Sequence, residues 1–428
     1  MKTVLCTLTA RKRKHTKGGD TLSNLKQAYL IKIDPVNNHN VQFIMEETPD
    51  GRLIFSKGRV GATPVTGSYK ISVWDKLYEK MLRQGFVDKT TEYDMSSGKA
   101  SPEPEEDNIG SDDPDVVRFV KKILSFAQKK VKETYSITMN LVTPQMLSDA
   151  SDVILKMDEL AKAVGDEIDL VAEFRELQMR LFYIIPRKMQ DVSEALASSR
   201  DDFEEIIKGE RELLMLARSE ADAERHEKTP KKKKGKSLLE RFNLSIRRCT
   251  KEEEENIKKH MDRYSQPKFR RAFRVINFIT EAAQKKWMDE NDVTEVHFLY
   301  HGSKNFLIWA IMTMGLLLNP DAPITGKMFG WGIYFANKAI KSLNYTSLSG
   351  STWAHGSSKT AYLFVFKVAY KNPKHVNTWS SYMGDLNADR IKPYDALHAH
   401  KGRSLKEDEI IVYNQAQVTI QYVIELAA

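Results

Sequence analysis

The stretch Gly330–Ser347, GWGIYFANKAIKSLNYTS, sets Gly330 and Gly332 on either side of Trp331, follows with a short apolar run through Tyr334, and closes on Lys341, Ser342 and Tyr345. A dinucleotide fingerprint also begins with glycines one residue apart. It needs a third glycine and a strand–turn–helix setting, because the helix N-terminus has to receive a pyrophosphate. Ala336 stands near the third position, and the glycines lead into an apolar run. A doubly wound nucleotide-binding sheet is therefore rejected. Taken alone, Tyr334 and Tyr345 read as two core or surface aromatics.

Around this stretch, EVHFLYHG, TAYLFVFKVAY, EIIVYN and QVTIQYVIEL read as strands, and KNFLIWAIMTMG as a helix stopped by Gly315. No alternating βαβ order appears, so the spacing predicts an antiparallel α+β domain. His301 ends one strand and is followed by Gly302 and Ser303, while Glu409 opens another. A glycine at a strand end exposes backbone N–H and C=O groups to a close ligand. One histidine, two tyrosines, a serine and a glutamate at strand ends suit a planar ligand bearing a carboxamide. The tyrosines stack on its ring, the glycine backbone holds the amide, and the glutamate stabilises a cation or activates a hydroxyl.

Upstream, VTPQMLSDASDVILKMDELAKAV carries an N-cap at Thr143 and a proline at Pro144. Leu147, Ala150, Ile154, Met157, Ala161 and Val164 follow at helical spacing. Pro186 ends the next helix, and EALASSRDDFEEIIKGERELLMLARSEADAE reads as one long helix; together these predict an all-α bundle. The first block alternates as strands in AYLIKID, VQFIMEE and RLIFSKGRVG. It then switches to helical spacing through Trp74, Leu77, Tyr78, Met81 and Leu82, with Gly85 as the stop. The expected units are a small β-plus-helix domain over 1–95, an acidic linker over 96–113, a helical domain over 114–226, a basic linker over 227–237 and the α+β domain over 238–428.

Of 428 residues, 41% are hydrophobic, enough for real cores, and the formal charge of +8 hints at a polyanionic partner. No run approaches the ~20 apolar residues that cross a bilayer, and the N-terminal patch is too short for a secretory signal. The expectation is a soluble intracellular protein. Cys6 and Cys249 support neither a disulfide framework nor a zinc finger, and His355 and His375 have no assigned role. No metal is expected.

The segments HGS, TGKMFGWGIYFAN, KSLNY and DEIIVYNQAQV, in that order, resemble the catalytic domain of the poly(ADP-ribose) polymerases, with the family's His-Tyr-Glu signature on His301, Tyr334 and Glu409. The helical block resembles the family's regulatory domain. KGRVGATPVTGSYKISVWDKLYEKM resembles a WGR domain in which Lys57 replaces the tryptophan. The resemblance covers nearly the whole chain.

It implies an enzyme that cleaves the nicotinamide–ribose bond of NAD+, as substrate, and transfers ADP-ribose to acceptor proteins and to itself. Gly302 and Ser342 would hold the carboxamide, Tyr345 would stack on the nicotinamide, and Tyr334 would cover its other side. His301, helped by Ser303, would bind the adenosine ribose. Glu409 would stabilise the oxocarbenium-like carbon and orient a hydroxyl, and Lys341 would lie near the acceptor. The helical block would restrain the site until the protein meets broken DNA. DNA would be reached through Lys57 and Arg59, with Arg11–Lys17 and Lys231–Lys234 as further polyanion segments. Two alternatives to a DNA-dependent polymerase stay open, the first because the stretch between Tyr345 and Glu409 is short for an extended acceptor loop. They are a mono-ADP-ribosyltransferase and an inactive DNA-end-binding scaffold. The basic clusters suggest the nucleus in a eukaryote, or the nucleoid in a bacterium.

Overall fold

In a computed structural model, the structure describes residues 25–91, 108–227, 236–318 and 328–428. The basic segments 11–17 and 231–234, most of the acidic stretch 96–113, and residues 325–327 of the glycine-flanked motif lie outside the described residues.

Strands β1 (Gln27–Asp34), β2 (His39–Glu47), β3 (Arg52–Arg59), β4 (Val65–Lys70) and β5 (Val87–Asp88) form an antiparallel sheet in the order β4-β3-β2-β1-β5, with α1 (Trp74–Arg83) between β4 and β5. Period-2 alternation explains why β1 is buried on both faces. Ala28 and Leu30 face the core under α1, while Tyr29, Ile31 and Ile33 join the core of the helical block. Leu82, placed on the buried face of α1 by spacing, is instead exposed.

The helical block is α2 (Pro114–Thr134), α3 (Pro144–Lys162), α4 (Glu167–Ile184) and α5 (Phe203–Glu227). Thr143 Oγ1 accepts the Met146 amide at 3.1 Å, and Pro144 occupies the first turn, as the sequence predicts. Two expectations fail. Val164 lies beyond the end of α3 and is fully exposed. The long helix begins at Phe203, not at Glu194, because Asp202 Oδ2 accepts the amides of Ser198 and Ser199 and holds that stretch in a turn.

The C-terminal part is α6 (Leu238–Arg241), β6 (Leu244–Arg248), α7 (Lys251–His260), β7 (Phe269–Asn277), α8 (Phe278–Glu290), β8 (Val296–Gly302), α9 (Ile308–Met314), β9 (Ile333–Ala336), α10 (Ala339–Leu343), β10 (Thr360–Ala369), β11 (Pro373–Val376), β12 (Ala396–Ala399), β13 (Glu409–Val412) and β14 (Val418–Ala427). The strands make a nine-stranded sheet in the order β11-β12-β13-β9-β8-β10-β14-β7-β6. Only β11–β12 pairs in parallel among the described strands. Gly315 ends α9 at φ 78°, a conformation glycine adopts without strain.

Helix α2 completes the core of this sheet. Val116, Phe119, Val120, Ile123 and Ala127 share one buried cluster with Phe273, Phe364 and Trp309, and the rings of Phe119 and Phe273 stack at 4.2 Å. Ile109, within the stretch read as linker, is buried as well, and its carbonyl accepts the Leu239 amide at 3.2 Å.

Candidate active site

The middle of the nine-stranded sheet brings the chosen residues to one place. Strand β8 delivers His301 and Gly302 at its end, β9 carries Tyr334, and β13 begins at Glu409. Register links them: Glu409 and Tyr300 both pair with Ala336, and Ile411 pairs with Tyr334. Just past β9, α10 adds Lys341 and Ser342, and the turn after it adds Tyr345.

His301 Nδ1 lies 3.0 Å from the Tyr334 carbonyl oxygen. A carbonyl only accepts, so Nδ1 carries the proton and Nε2 is left as the acceptor in the neutral ring. Burial pushes the imidazole below its ordinary pKa, which keeps that ring neutral. The Phe335 and Phe366 rings meet it in edge-to-face contact, with centroids 5.9 and 6.1 Å from its own, and fix its orientation.

Gly302 sits where no side chain fits. A Cβ there would lie 1.9 Å from the Ser342 carbonyl oxygen and 3.2 Å from the Tyr345 Cβ. The strand end therefore lies flush against the turn that carries Ser342 and Tyr345. Ser342 is buried. Burial, then the charge of Glu409, pushes the Tyr345 phenol up to about 12, so it stays neutral at any working pH. Ser303 is half-buried between Gly302 and Lys304.

Tyr334 is pinned at its far end. Its hydroxyl donates to the Gly330 carbonyl at 2.8 Å and accepts the Phe329 amide at 3.1 Å. Gly330, at φ 76°, makes way for the backbone of Leu386, where a Cβ would come within 2.1 Å of its carbonyl oxygen. The glycines around Trp331 thus serve close packing of the protein against itself, Gly330 against Leu386 and Gly332 against Ile411.

Glu409 has a cationic partner that the spacing did not reveal. Lys341 Nζ stands 2.8 Å from Glu409 Oε1 and donates to the Glu407 carbonyl at 2.8 Å, and both side chains of the ion pair are about 15% exposed or less. Lys338 pairs with Glu407 at 2.7 Å beside it.

The helical block also reaches this region. Glu212 of α5 pairs with Lys304 at 2.6 Å, and burial raises the Glu212 carboxyl above its usual range. Lys162 of α3 and Arg211 of α5 lie over the Trp331 ring at 4.1 and 5.5 Å. Sequence reasoning passed over Lys304 and Trp331, although both lie in quoted segments, because their partners are distant in the chain.

Lys57 and Arg59 do not join this site. Lys57 is exposed on β3. Arg59 turns inward: Nε donates to the Met189 carbonyl at 2.8 Å, Nη1 to the Asn38 carbonyl at 2.9 Å, and Nη2 to Asn38 Oδ1 at 2.8 Å and to the Gln190 carbonyl. A guanidinium so occupied has to break these bonds before it pairs with a phosphate.

Residues 251–428 match the family model of the poly(ADP-ribose) polymerase catalytic domain. A putative poly(ADP-ribose) polymerase-like protein, 100L, of Invertebrate iridescent virus 6 is 28% identical over 162 residues, which cover 36% of this chain and 83% of the viral one. The poly(ADP-ribose) polymerase of Drosophila melanogaster is 34% identical over 147 residues, covering 30% of this chain and 15% of the fly protein. Human poly(ADP-ribose) polymerase 2 is 28% identical over 177 residues, covering 35% of this chain and 29% of the human one.

Proposed function

From the premise that residues 251–428 are a poly(ADP-ribose) polymerase catalytic domain, and the chain therefore an NAD+ ADP-ribosyltransferase, we propose that it is a DNA-dependent enzyme that builds ADP-ribose chains on proteins, itself included. The observation that carries this reading is the convergence of His301, Gly302, Tyr334 and Glu409 on adjacent strands with Tyr345 in the turn after α10, Gly302 lying flush against Ser342.

On this reading the nicotinamide ring lies on Tyr345, and Tyr334, held by the 329–330 backbone, closes its other side. The Gly302 backbone and the Ser342 hydroxyl take the carboxamide, and His301 Nε2 accepts a ribose hydroxyl, with Ser303 alongside. Nicotinamide departs with the glycosidic electron pair, leaving positive charge on the ribose carbon. The Glu409 carboxylate favours that charge in a site where fixed groups need no reorganisation. The acceptor hydroxyl or carboxylate then attacks, and a hydroxyl passes its proton towards Glu409. Lys341 orients the carboxylate from the acceptor side.

DNA dependence rests on the basic first block. With Arg59 occupied internally, phosphate contact falls on Lys57, which is exposed on β3. The residues between Tyr345 and Glu409 keep single-unit transfer as the second reading.

NAD+ consumption with and without nicked or blunt DNA, with gel sizing of the product, tests the proposal. A DNA-stimulated ladder is expected. A single small shift selects mono-transfer, and DNA binding without turnover selects the scaffold.

A further inference from the structure

Three histidines meet at the edge of the nine-stranded sheet. Period-2 alternation puts His398 and His400 on one face of the chain that forms β12, and the parallel register of β11 sets His375 directly beside His398. His375 Nδ1 lies 2.8 Å from His400 Nε2. The rings of His398 and His400 stack at 4.1 Å between centroids, and those of His375 and His400 at 5.0 Å.

Asp408 closes the group. Its Oδ2 lies 2.9 Å from His398 Nε2 and 3.6 Å from His400 Nδ1, while its Oδ1 accepts the Lys401 amide at 2.7 Å. The carboxylate is thus held by backbone on one side and turned to two imidazoles on the other. One ligand nitrogen from each histidine falls within a set whose members are all within 4.8 Å of one another. Tetrahedral zinc, with Zn–N bonds of ~2.0–2.1 Å, asks for ligand atoms ~3.3 Å apart. His375 is exposed and the other two histidines are half-buried, so an ion has access and the rings can turn towards it.

We propose that His375, His398 and His400 bind one divalent transition-metal ion of the zinc class, with Asp408 orienting the rings of His398 and His400 from beside it. The nitrogen-rich donor set favours zinc over calcium or magnesium, which take oxygen ligands. The ion serves structure and takes no part in NAD+ chemistry. Residues directly opposite in an antiparallel pair share a face, and Glu409 pairs with Ala399, whose side chain points away from those of His398 and His400. The metal therefore sits on the far side of the sheet from the Glu409 carboxylate. It ties β11 to the end of β12, and Asp408, facing His398 and His400, carries that order into the hairpin from which Glu409 projects.

Tag-free full-length protein, stripped with a chelator, is titrated with Zn2+ by calorimetry and with Co2+ by visible absorption. One equivalent should bind, with the intense bands of tetrahedral Co2+ displaced by Zn2+, and the melting temperature should rise on loading. His375→Ala, on an exposed residue that leaves the fold intact, and the double variant His398→Ala/His400→Ala should each weaken Zn2+ binding at least about tenfold. His260→Ala, elsewhere on the domain, should bind like the wild type. Absence of saturable binding, or equal affinity in His375→Ala and wild type, overturns the proposal and leaves a hydrogen-bonded histidine patch.

Discussion

Lys341 Nζ lies 2.8 Å from Glu409 Oε1, so the acid that opens β13 is set by a cation from α10, across a register that no local spacing encodes. Neither side chain is more than 15% exposed, so water screens the pair poorly. Glu409→Gln keeps the shape and removes the charge. It should lower NAD+ turnover by about 10²–10³-fold, the cost of losing one preorganised electrostatic group. Lys341→Gln should cost less, and the double variant should cost less than the sum, with a coupling of about 0.5–3 kcal/mol in the activation free energy. Full turnover in Glu409→Gln would remove it from the chemistry.

Gly302→Ala is expected to damage the site through its backbone. The added carbon would lie 1.9 Å from the Ser342 carbonyl oxygen, and a main-chain atom cannot swing aside as a side-chain tip can. Strand β8 and the Ser342–Tyr345 turn have to separate, at about 1–3 kcal/mol for overpacking. The urea midpoint should fall and KM for NAD+ should rise together. A variant with wild-type KM would mean that the two backbones do not form one wall.

His301 gives a pH dependence with a definite sign. Burial lowers its folded pKa below the ordinary value of about 6.5. Below that value the unfolded chain takes up a proton that the folded chain resists. The stability from the neutral ring is therefore complete above about pH 6.5, and is lost as pH falls through the folded pKa. His301→Asn keeps a donor for the Tyr334 carbonyl and has nothing to titrate. The melting temperature of wild type should drop faster than that of His301→Asn below pH 6.5. Parallel curves would mean that the ring is solvated.

What was legible in the sequence follows how locally each feature is determined. The Thr143–Pro144 start, the Gly315 stop and the apolar runs of β1 and β10 depend on neighbours in the chain, and the structure has them. The start of α5 was misread because Ser198, Ser199 and Asp202 satisfy one another in a turn that helical spacing does not register. Short strands such as β9, β11 and β12 exist only through their partners. The inward turn of Arg59 depends on carbonyls 130 residues away, and His375 found its partner 25 residues on. Hydrophobic period and capping chemistry report none of these.

The ion pair between Glu212 and Lys304 offers a sharper test of restraint by the helical block than its removal. Deleting residues 114–226 should raise DNA-free activity if the block shields the site, but it also strips Phe119 from Phe273 and opens the core that α2 completes. A fall in activity after that deletion would therefore say nothing about shielding. Glu212 and Lys304 touch across the two parts at 2.6 Å without belonging to either core. Removing one partner alone would bury a lone charge at about 3–5 kcal/mol. The double variant Glu212→Gln/Lys304→Gln avoids that cost and removes only the tether. Each 1.4 kcal/mol of docking lost shifts the undocked population about tenfold. DNA-free NAD+ consumption should rise by about that factor, with the DNA-saturated rate changed by less than about twofold. An unchanged DNA-free rate, in a variant whose melting temperature shows the fold intact, would mean that this contact does not govern access to Tyr345 and Glu409.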